Sequence, residues 1–256
     1  MLSMARTITS SHNEKLKEIR KLRMRRRERD RAGRFVAEGE DLLAAADAAG
    51  WEPLERFCAA GSGLTGVEVE PGVLASASGL ASGTRALAVY QERWASAPRG
   101  PLCVYLHGVH DPGNAGAVLR SAAAFGASCV AFGPGSADPF GPKAVRASMG
   151  AVFTVPVARA GTLDELPGCK LALVAGAGTP LAALDELWRS SSEAPNPNAK
   201  VPEELTLLIG AERAGLPEDI VQAADAAVHI PIETHSLNAA MAATVALYEA
   251  TRMRHQ

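Results

Sequence analysis

The chain has 256 residues, of which 47% are apolar and 21% charged. This is ordinary globular usage: it excludes a wholly disordered polypeptide and leaves room for one large or two modest domains. The net charge of −2 hides an asymmetry, because eleven basic and three acidic residues stand between Lys15 and Arg34, giving that stretch +8 and the remainder −10, a split that suggests a polyanion docked at one end.

Within residues 12–31, Leu16, Ile19 and Leu22 recur at three-residue spacing, which predicts a surface helix with a thin apolar seam. Beyond Gly33, Phe35 and Val36 lead into an Ala- and Leu-rich helix over 38–50, closed by Gly50. Short strands are expected around 54–58, 67–69 and 86–90, set apart by Gly, Ser and Pro. Ser96-Ala-Pro-Arg-Gly-Pro101 reads as a boundary. It separates a small N-terminal α/β domain, residues 1–97, from a second domain, residues 102–256. There, strands at 102–106, 129–132, 171–175, 205–209 and 227–230 alternate with helices at 114–125, 181–188, 217–224 and 236–254. That alternation predicts an α/β domain with a mostly parallel sheet. Residues 189–202, rich in Ser, Pro and Asn, read as a long exposed loop.

No run of about 18 apolar residues is fit to span a membrane, since residues 121–142 are interrupted by Gly126, Gly133, Pro134, Gly135, Pro139 and Gly141. Arg6 is followed by no apolar stretch, so the expected location is the cytoplasm. Cys58, Cys103, Cys129 and Cys169 match no zinc or redox spacing and are expected as reduced, buried thiols.

Three segments place glycines and polar residues just beyond an apolar strand, where ligands bind in open α/β sheets. The first is Asp111-Pro-Gly-Asn-Ala-Gly-Ala-Val-Leu-Arg120, in which Asn114 can cap a helix and Arg120 lies almost two turns inside it. The second, Ile209-Gly-Ala-Glu-Arg-Ala-Gly-Leu216, runs a buried strand into the Gly-flanked carboxylate of Glu212. The third runs from Ile230-Pro-Ile232 to Ser236-Leu-Asn238 and an Ala-rich helix that Ser236 or Asn238 can cap. Taken singly, each is also a plain capped helix or turn. A nucleotide-dependent oxidoreductase is poorly supported, because neither G-x-G-x-x-G nor its downstream ribose-binding acid is present. His107, His110, His229 and His235 lack partners at metal-ligand spacing.

In this order and at these separations, the three segments resemble the signature motifs of the SpoU/TrmH family of RNA ribose 2′-O-methyltransferases, in the SPOUT superfamily. Lys143-Ala-Val-Arg-Ala-Ser-Met-Gly-Ala-Val-Phe153 is similar to the family's intervening Arg-x-Ser-x-Gly-Ala segment. Where Ala239 and Ala240 follow Asn238, the family commonly has Val and Ser. The N-terminal stretch, with Phe35-Val-Ala-Glu-Gly39, resembles the family's ribosomal-protein-like RNA-binding extension. The resemblance implies a C-terminal trefoil knot holding S-adenosylmethionine near Ile209, Gly210, Ile230, Ile232 and Leu237. It implies that Arg120 activates the 2′-hydroxyl or stabilises its oxyanion, with Asn114, Glu212, Ser236 and Asn238 completing the site. Arg25, Arg26 and Arg27 would contact RNA, as would Arg146 and Ser148, although a structural salt bridge is an equal reading of Arg146. The implied function is 2′-O-methylation of ribosomal RNA, of the 23S type, by a homodimer. Transfer-RNA methylation, methylation that confers antibiotic resistance, and a non-catalytic RNA-binding or ribosome-assembly role are the alternatives.

Overall fold

The computed structural model describes residues 7–80, 83–184 and 202–254. The basic segment forms two helices instead of the one expected, α1 (Glu14–Met24) and α2 (Arg26–Ala32). Asn13 caps α1 by accepting from the Lys15 amide at 3.0 Å. The axis breaks at Arg25, which is extended at φ −130°, ψ 112°. The break turns Arg29 inward, where Nη1 donates to the Leu22 carbonyl at 2.6 Å and Nε to Asp138 Oδ2 at 2.8 Å. Gly33, at φ +62°, closes α2 in the left-handed conformation that glycine adopts without strain.

The segment expected to lead into a helix is instead a strand, β1 (Arg34–Glu38), and the helix α3 (Glu40–Ala48) begins two residues later than expected. An unbroken apolar run buried on both faces carries no period-2 signal, so its sequence could not announce a strand. Next come β2 (Glu55–Ala59), β3 (Val67–Val69), α4 (Pro71–Ala77) and β4 (Ala86–Gln91). They form a four-stranded sheet of order β1-β4-β2-β3. Successive side chains leave its opposite faces. Val36, Phe57, Leu87 and Val89 meet the predicted α1 seam of Leu16, Ile19 and Leu22. Phe35, Ala37, Ala88 and Tyr90 face the rest of the molecule.

The chain enters a second sheet at β5 (Trp94–Ala95), ahead of the proline-rich boundary. It continues through β6 (Leu102–Leu106), α5 (Pro112–Ala124), β7 (Cys129–Phe132), α6 (Pro142–Ala147), β8 (Val157–Arg159), β9 (Cys169–Leu173) and β10 (Thr179–Pro180). After β11 (Leu205–Ile209), α7 (Glu218–Ala223) and β12 (Ala226–His229), it ends in α8 (Ala239–Arg254). The sheet order is β10-β12-β9-β11-β6-β7-β8-β5, and every recorded pairing within it is parallel. The five-residue strands β6 and β11 are buried throughout, as central parallel strands are. Of the helix expected at 181–188 a short turn, Leu181–Ala183, is described, and most of the expected loop at 189–202 lies outside the described residues.

The two sheets share one core. Phe35 stacks 4.8 Å from Phe140, Trp51 and Tyr90 pack edge-on against Phe153, and Trp51 Nε1 donates to the Phe153 carbonyl at 2.8 Å. Cys58, Cys103 and Cys129 are buried free thiols, while Cys169 is only half-buried. No helix among the described residues is long and apolar enough to cross a membrane.

Candidate active site

All the strands of the large sheet run the same way, so the loops after β6, β9, β11 and β12 gather at one edge. Asp111, not the expected Asn114, caps α5: its Oδ1 accepts from the Asn114 amide at 3.0 Å, with Pro112 at the first helical position. The Asp-Pro pair was the available sequence signal for this cap. Lys143 Nζ bonds the other oxygen at 2.8 Å, and this contact, followed by the Asn114 amide, holds the Asp111 carboxyl below its ordinary value of 3.8. Stability from this carboxylate is therefore present above that ordinary value and lost as pH falls through the lowered one. Asp111→Ala is expected to cost about 1 kcal/mol at neutral pH. The gap from wild type should close in urea titrations carried below about pH 4.

Freed from capping, Asn114 faces the other two motifs. Its Nδ2 donates to Glu212 Oε1 at 2.5 Å, and its Oδ1 accepts from Asn238 Nδ2 at 3.0 Å. Asn238 Oδ1 in turn accepts from the amides of Ala240 (2.9 Å) and Met241 (3.3 Å), so Asn238 is the cap of α8. Residues 98 and 124 positions away from Asn114 thus join it in one relay, from the positive end of α8 to the Glu212 carboxylate. One carboxylate oxygen is oriented by the relay, leaving the other able to accept from a ligand hydroxyl or amine.

Glu212 borders a cavity of about 550 Å³ at the carboxyl ends of β9, β11 and β12, within the roughly 300–1,000 Å³ range of small-molecule sites. Ile209, Gly210, Ile230, Ile232 and Leu237 all line it, as do Ser236, His235 and Arg213. One wall is a tight hairpin closed by reciprocal bonds between Ala211 and Gly215 at 3.1 and 2.9 Å. Gly210 is required beneath it, because a Cβ there would lie 2.2 Å from the Gly215 carbonyl carbon and 2.3 Å from the Leu216 nitrogen.

Arg120 stands apart from this cluster. It is exposed, makes no hydrogen bond or ion pair with a described residue, and lies six residues beyond Asn114, about 9 Å along the helix axis. Gly116, four residues before it, lets α6 approach α5: a Cβ at Gly116 would lie 2.4 Å from the Ala144 carbonyl oxygen.

Ser148 departs from expectation. It is fully buried, with Oγ donating to the Val145 carbonyl at 2.7 Å, so it shapes the end of α6 and cannot face a phosphate. Arg146 is half-buried and forms no ion pair among the described residues. Arg25, Arg26 and Arg27 are exposed. Other cations of the basic run are structural: Arg29 pairs with Asp138, and Arg23 with the buried Glu38. No group of three or more His, Cys, Asp or Glu residues fit to hold a metal occurs among the described residues.

Comparison with known proteins identifies the family and the fold. Residues 101–248 match the SpoU rRNA Methylase family, and residues 13–92 match the MRM3-like substrate binding domain. The chain is 31% identical over 222 residues to the 23S rRNA (guanosine-2′-O-)-methyltransferase RlmB of Ralstonia nicotianae, covering 84% of this chain and 82% of that one. It is 32% identical over 142 residues to the 23S rRNA (guanosine(2553)-2′-O)-methyltransferase RlmP of Bacillus subtilis, covering 55% and 54%. Among the first curated relatives it matches, the chain spans about half of their length. An rRNA methyltransferase crystal structure from Sinorhizobium meliloti superposes with a TM-score of 0.81 at 28% identity, covering 98% of both chains. The SpoU methyltransferase AviRb of Streptomyces viridochromogenes, solved in complex with AdoMet, superposes at 0.78 with 26% identity, covering 95% and 98%. Two of the three motifs line one cavity and the first is joined to them through Asn114; with more than half of its length matched by the family model, the chain belongs to the SpoU rRNA Methylase family.

Proposed function

We propose that this protein transfers a methyl group from S-adenosylmethionine to a ribose 2′-hydroxyl of ribosomal RNA. The observation that carries the reading is the 550 Å³ cavity with the Glu212–Asn114–Asn238 relay at its edge. The residues fit the cofactor: a side chain at Gly210 would displace the cavity wall, and Ile209, Ile230, Ile232 and Leu237 offer an apolar lining of the size an adenosine needs. When bound, the cofactor supplies an activated methyl and its leaving group. The chain supplies position: Glu212, held at one oxygen by Asn114, takes a hydrogen bond from the ligand, and Ser236 offers a hydroxyl at the same rim. Arg120 stabilises the developing oxyanion, a role suited to a group that stays protonated.

In this reading residues 1–97 bind the RNA and residues 102–256 carry the transfer, with the C-terminal chain knotted around the cofactor loops. Arg25, Arg26, Arg27 and Arg146 supply phosphate contacts. A second copy completes the site. That inference is supported by the solvent-facing stripe of Met241, Val245 and Tyr248 on α8, which is tied to α5 through the 2.6 Å contact of Ser121 with Thr244. We place the protein in the cytoplasm, where the buried thiols of Cys58, Cys103 and Cys129 stay reduced.

The test is transfer of labelled methyl from S-adenosylmethionine to deproteinised ribosomal RNA and, separately, to transfer RNA. Alkali-resistant label is expected in ribosomal RNA. Arg120→Ala should lower its rate of formation about 10²–10³-fold with cofactor affinity unchanged. Label in transfer RNA alone would overturn the substrate, and an unimpaired Arg120→Ala would overturn the role of that residue.

A further inference from the structure

A second cleft opens along the same edge of the large sheet, at the carboxyl ends of β7 and β8 and away from the cofactor cavity. Its volume is about 290 Å³, and its walls come from both units of the chain: Arg26 of α2, Trp94 of β5, the Gly133-Pro-Gly-Ser136 turn after β7, and Arg159 at the end of β8. Two exposed cations and an aromatic ring converge here on glycine-rich backbone.

The side chains are held in place. Glu92 accepts from Trp94 Nε1 at 2.9 Å, and the indole packs edge-on against Phe140 (5.2 Å) and Phe132 (6.5 Å). The Arg159 guanidinium lies over the ring, 4.3 Å from its centroid. Asp30 sits 3.7 Å from both Arg159 and Arg26, which spaces the two cations and leaves one net positive charge among the three groups. Arg26 Nη1 also reaches the Ser136 carbonyl at 3.4 Å. The backing is rigid, because Ser136 is buried with Oγ on the Leu106 carbonyl at 2.8 Å, and Arg29 and Asp138 pair directly beneath at 2.7 Å.

A planar guanidinium stacked on an indole presents a flat, cationic surface suited to a nucleobase, and a neighbouring arginine suits its phosphate. We propose that this cleft is a subsite for one unpaired nucleotide of the RNA substrate, the base stacking on the Arg159–Trp94 pair and the phosphate resting on Arg26. This rests on the RNA reading given above and adds a place where the strand is held beside the reacting ribose. The cleft lies beside the start of the first motif, since a Cβ at Gly135, one of its lining residues, would lie 3.3 Å from the ring of His110, the residue preceding Asp111. Strands β7 and β8 stand two to three positions from β11, roughly 10–14 Å, a short step along an extended strand. Neither Trp94 nor Arg159 lies in the segments that resemble family motifs, so no motif would have drawn attention to them.

The experiment is filter binding of deproteinised ribosomal RNA across a range of salt concentrations, with cofactor binding measured on every variant as a check of folding. Arg26→Gln is expected to weaken RNA binding about five- to tenfold and to lower the salt slope by about 0.7–0.9, the signature of one lost phosphate contact. Trp94→Leu should weaken binding to a similar extent with the slope unchanged, while Trp94→Tyr, which keeps a ring, stays within about twofold of wild type. Wild-type RNA affinity in Arg26→Gln and Trp94→Leu, both still binding cofactor, would overturn the subsite and leave the methyltransferase reading standing. Absence of RNA binding by the wild type would overturn that reading itself. Displacement of the RNA by micromolar nucleoside 5′-monophosphate would assign the cleft to a free nucleotide and overturn its role as an RNA subsite.

Discussion

Gly210→Ala is expected to raise the dissociation constant for S-adenosylmethionine at least tenfold, about 1.4 kcal/mol, and to destabilise the fold by about 1–3 kcal/mol. The added Cβ would lie 2.2 to 2.4 Å from the main chain of Gly215 and Leu216. None of those atoms can swing aside as a side-chain tip would, because the hairpin is closed by the two Ala211–Gly215 bonds. Relief therefore requires the hairpin to move away from β11, and Glu212 moves with it, breaking its 2.5 Å bond to Asn114. Calorimetric titration with the cofactor together with a urea midpoint checks both effects. Cofactor affinity within twofold of wild type would show that the hairpin is not the wall on which binding depends.

The largest stability effect is expected at Arg29, far from the cavity. Arg29 and Asp138 are 7% and 10% exposed at their side chains and join α2 to the loop before α6. Arg29→Ala leaves the Asp138 carboxylate without its cation and the Leu22 carbonyl without the 2.6 Å donor. Removing one partner of such a pair costs about 3–5 kcal/mol, because the remaining charge is stranded where water reaches it poorly. A double variant, Arg29→Met with Asp138→Asn, is expected to recover more than half of that loss, since it removes the stranded charge as well. Denaturant titration of the wild type, the single and the double variant separates the two cases. A loss below about 1 kcal/mol for Arg29→Ala would mean that the pair behaves as an exposed one.

Arg29 also marks where reading by composition stops. It is one of five arginines in the run 25–31, the other four exposed, and nothing in that run distinguishes it, yet it points inward because Arg25 breaks the helix. Ser148 is the converse case. It stands among motif residues and was expected at the RNA surface, but α6 packs so closely on α5, through the bare Gly116, that its hydroxyl closes the end of α6 instead.

Local physics settled much of the architecture from the chain alone. The seam of Leu16, Ile19 and Leu22 is buried as its spacing requires, and β3, β6, β7 and β11 begin and end at the residues expected of them. Strands β6, β7 and β11 are short, mostly apolar runs and β3 is an apolar–charged alternation, each flanked on at least one side by Gly, Pro or a charged residue, so their limits are local properties. Strand β1, with its unbroken apolar burial, and the two- and three-residue strands β5, β8 and β10 carry too little pattern to be read locally, and exist because neighbouring strands offer them partners. The three motif segments were legible as ligand-binding turns, and their order carried the family resemblance. What only the tertiary structure decided is who bonds to whom. Asn114 was open to serve as a cap or as a site residue, and the choice fell when Asp111 took the capping role and the parallel sheet brought Glu212 and Asn238 within reach of its amide. The cleft between Arg26 and Arg159 is likewise a product of two units folding against one another, since its walls lie 133 residues apart in the chain and meet only because Phe35, Trp51 and Tyr90 share a core with Phe140 and Phe153.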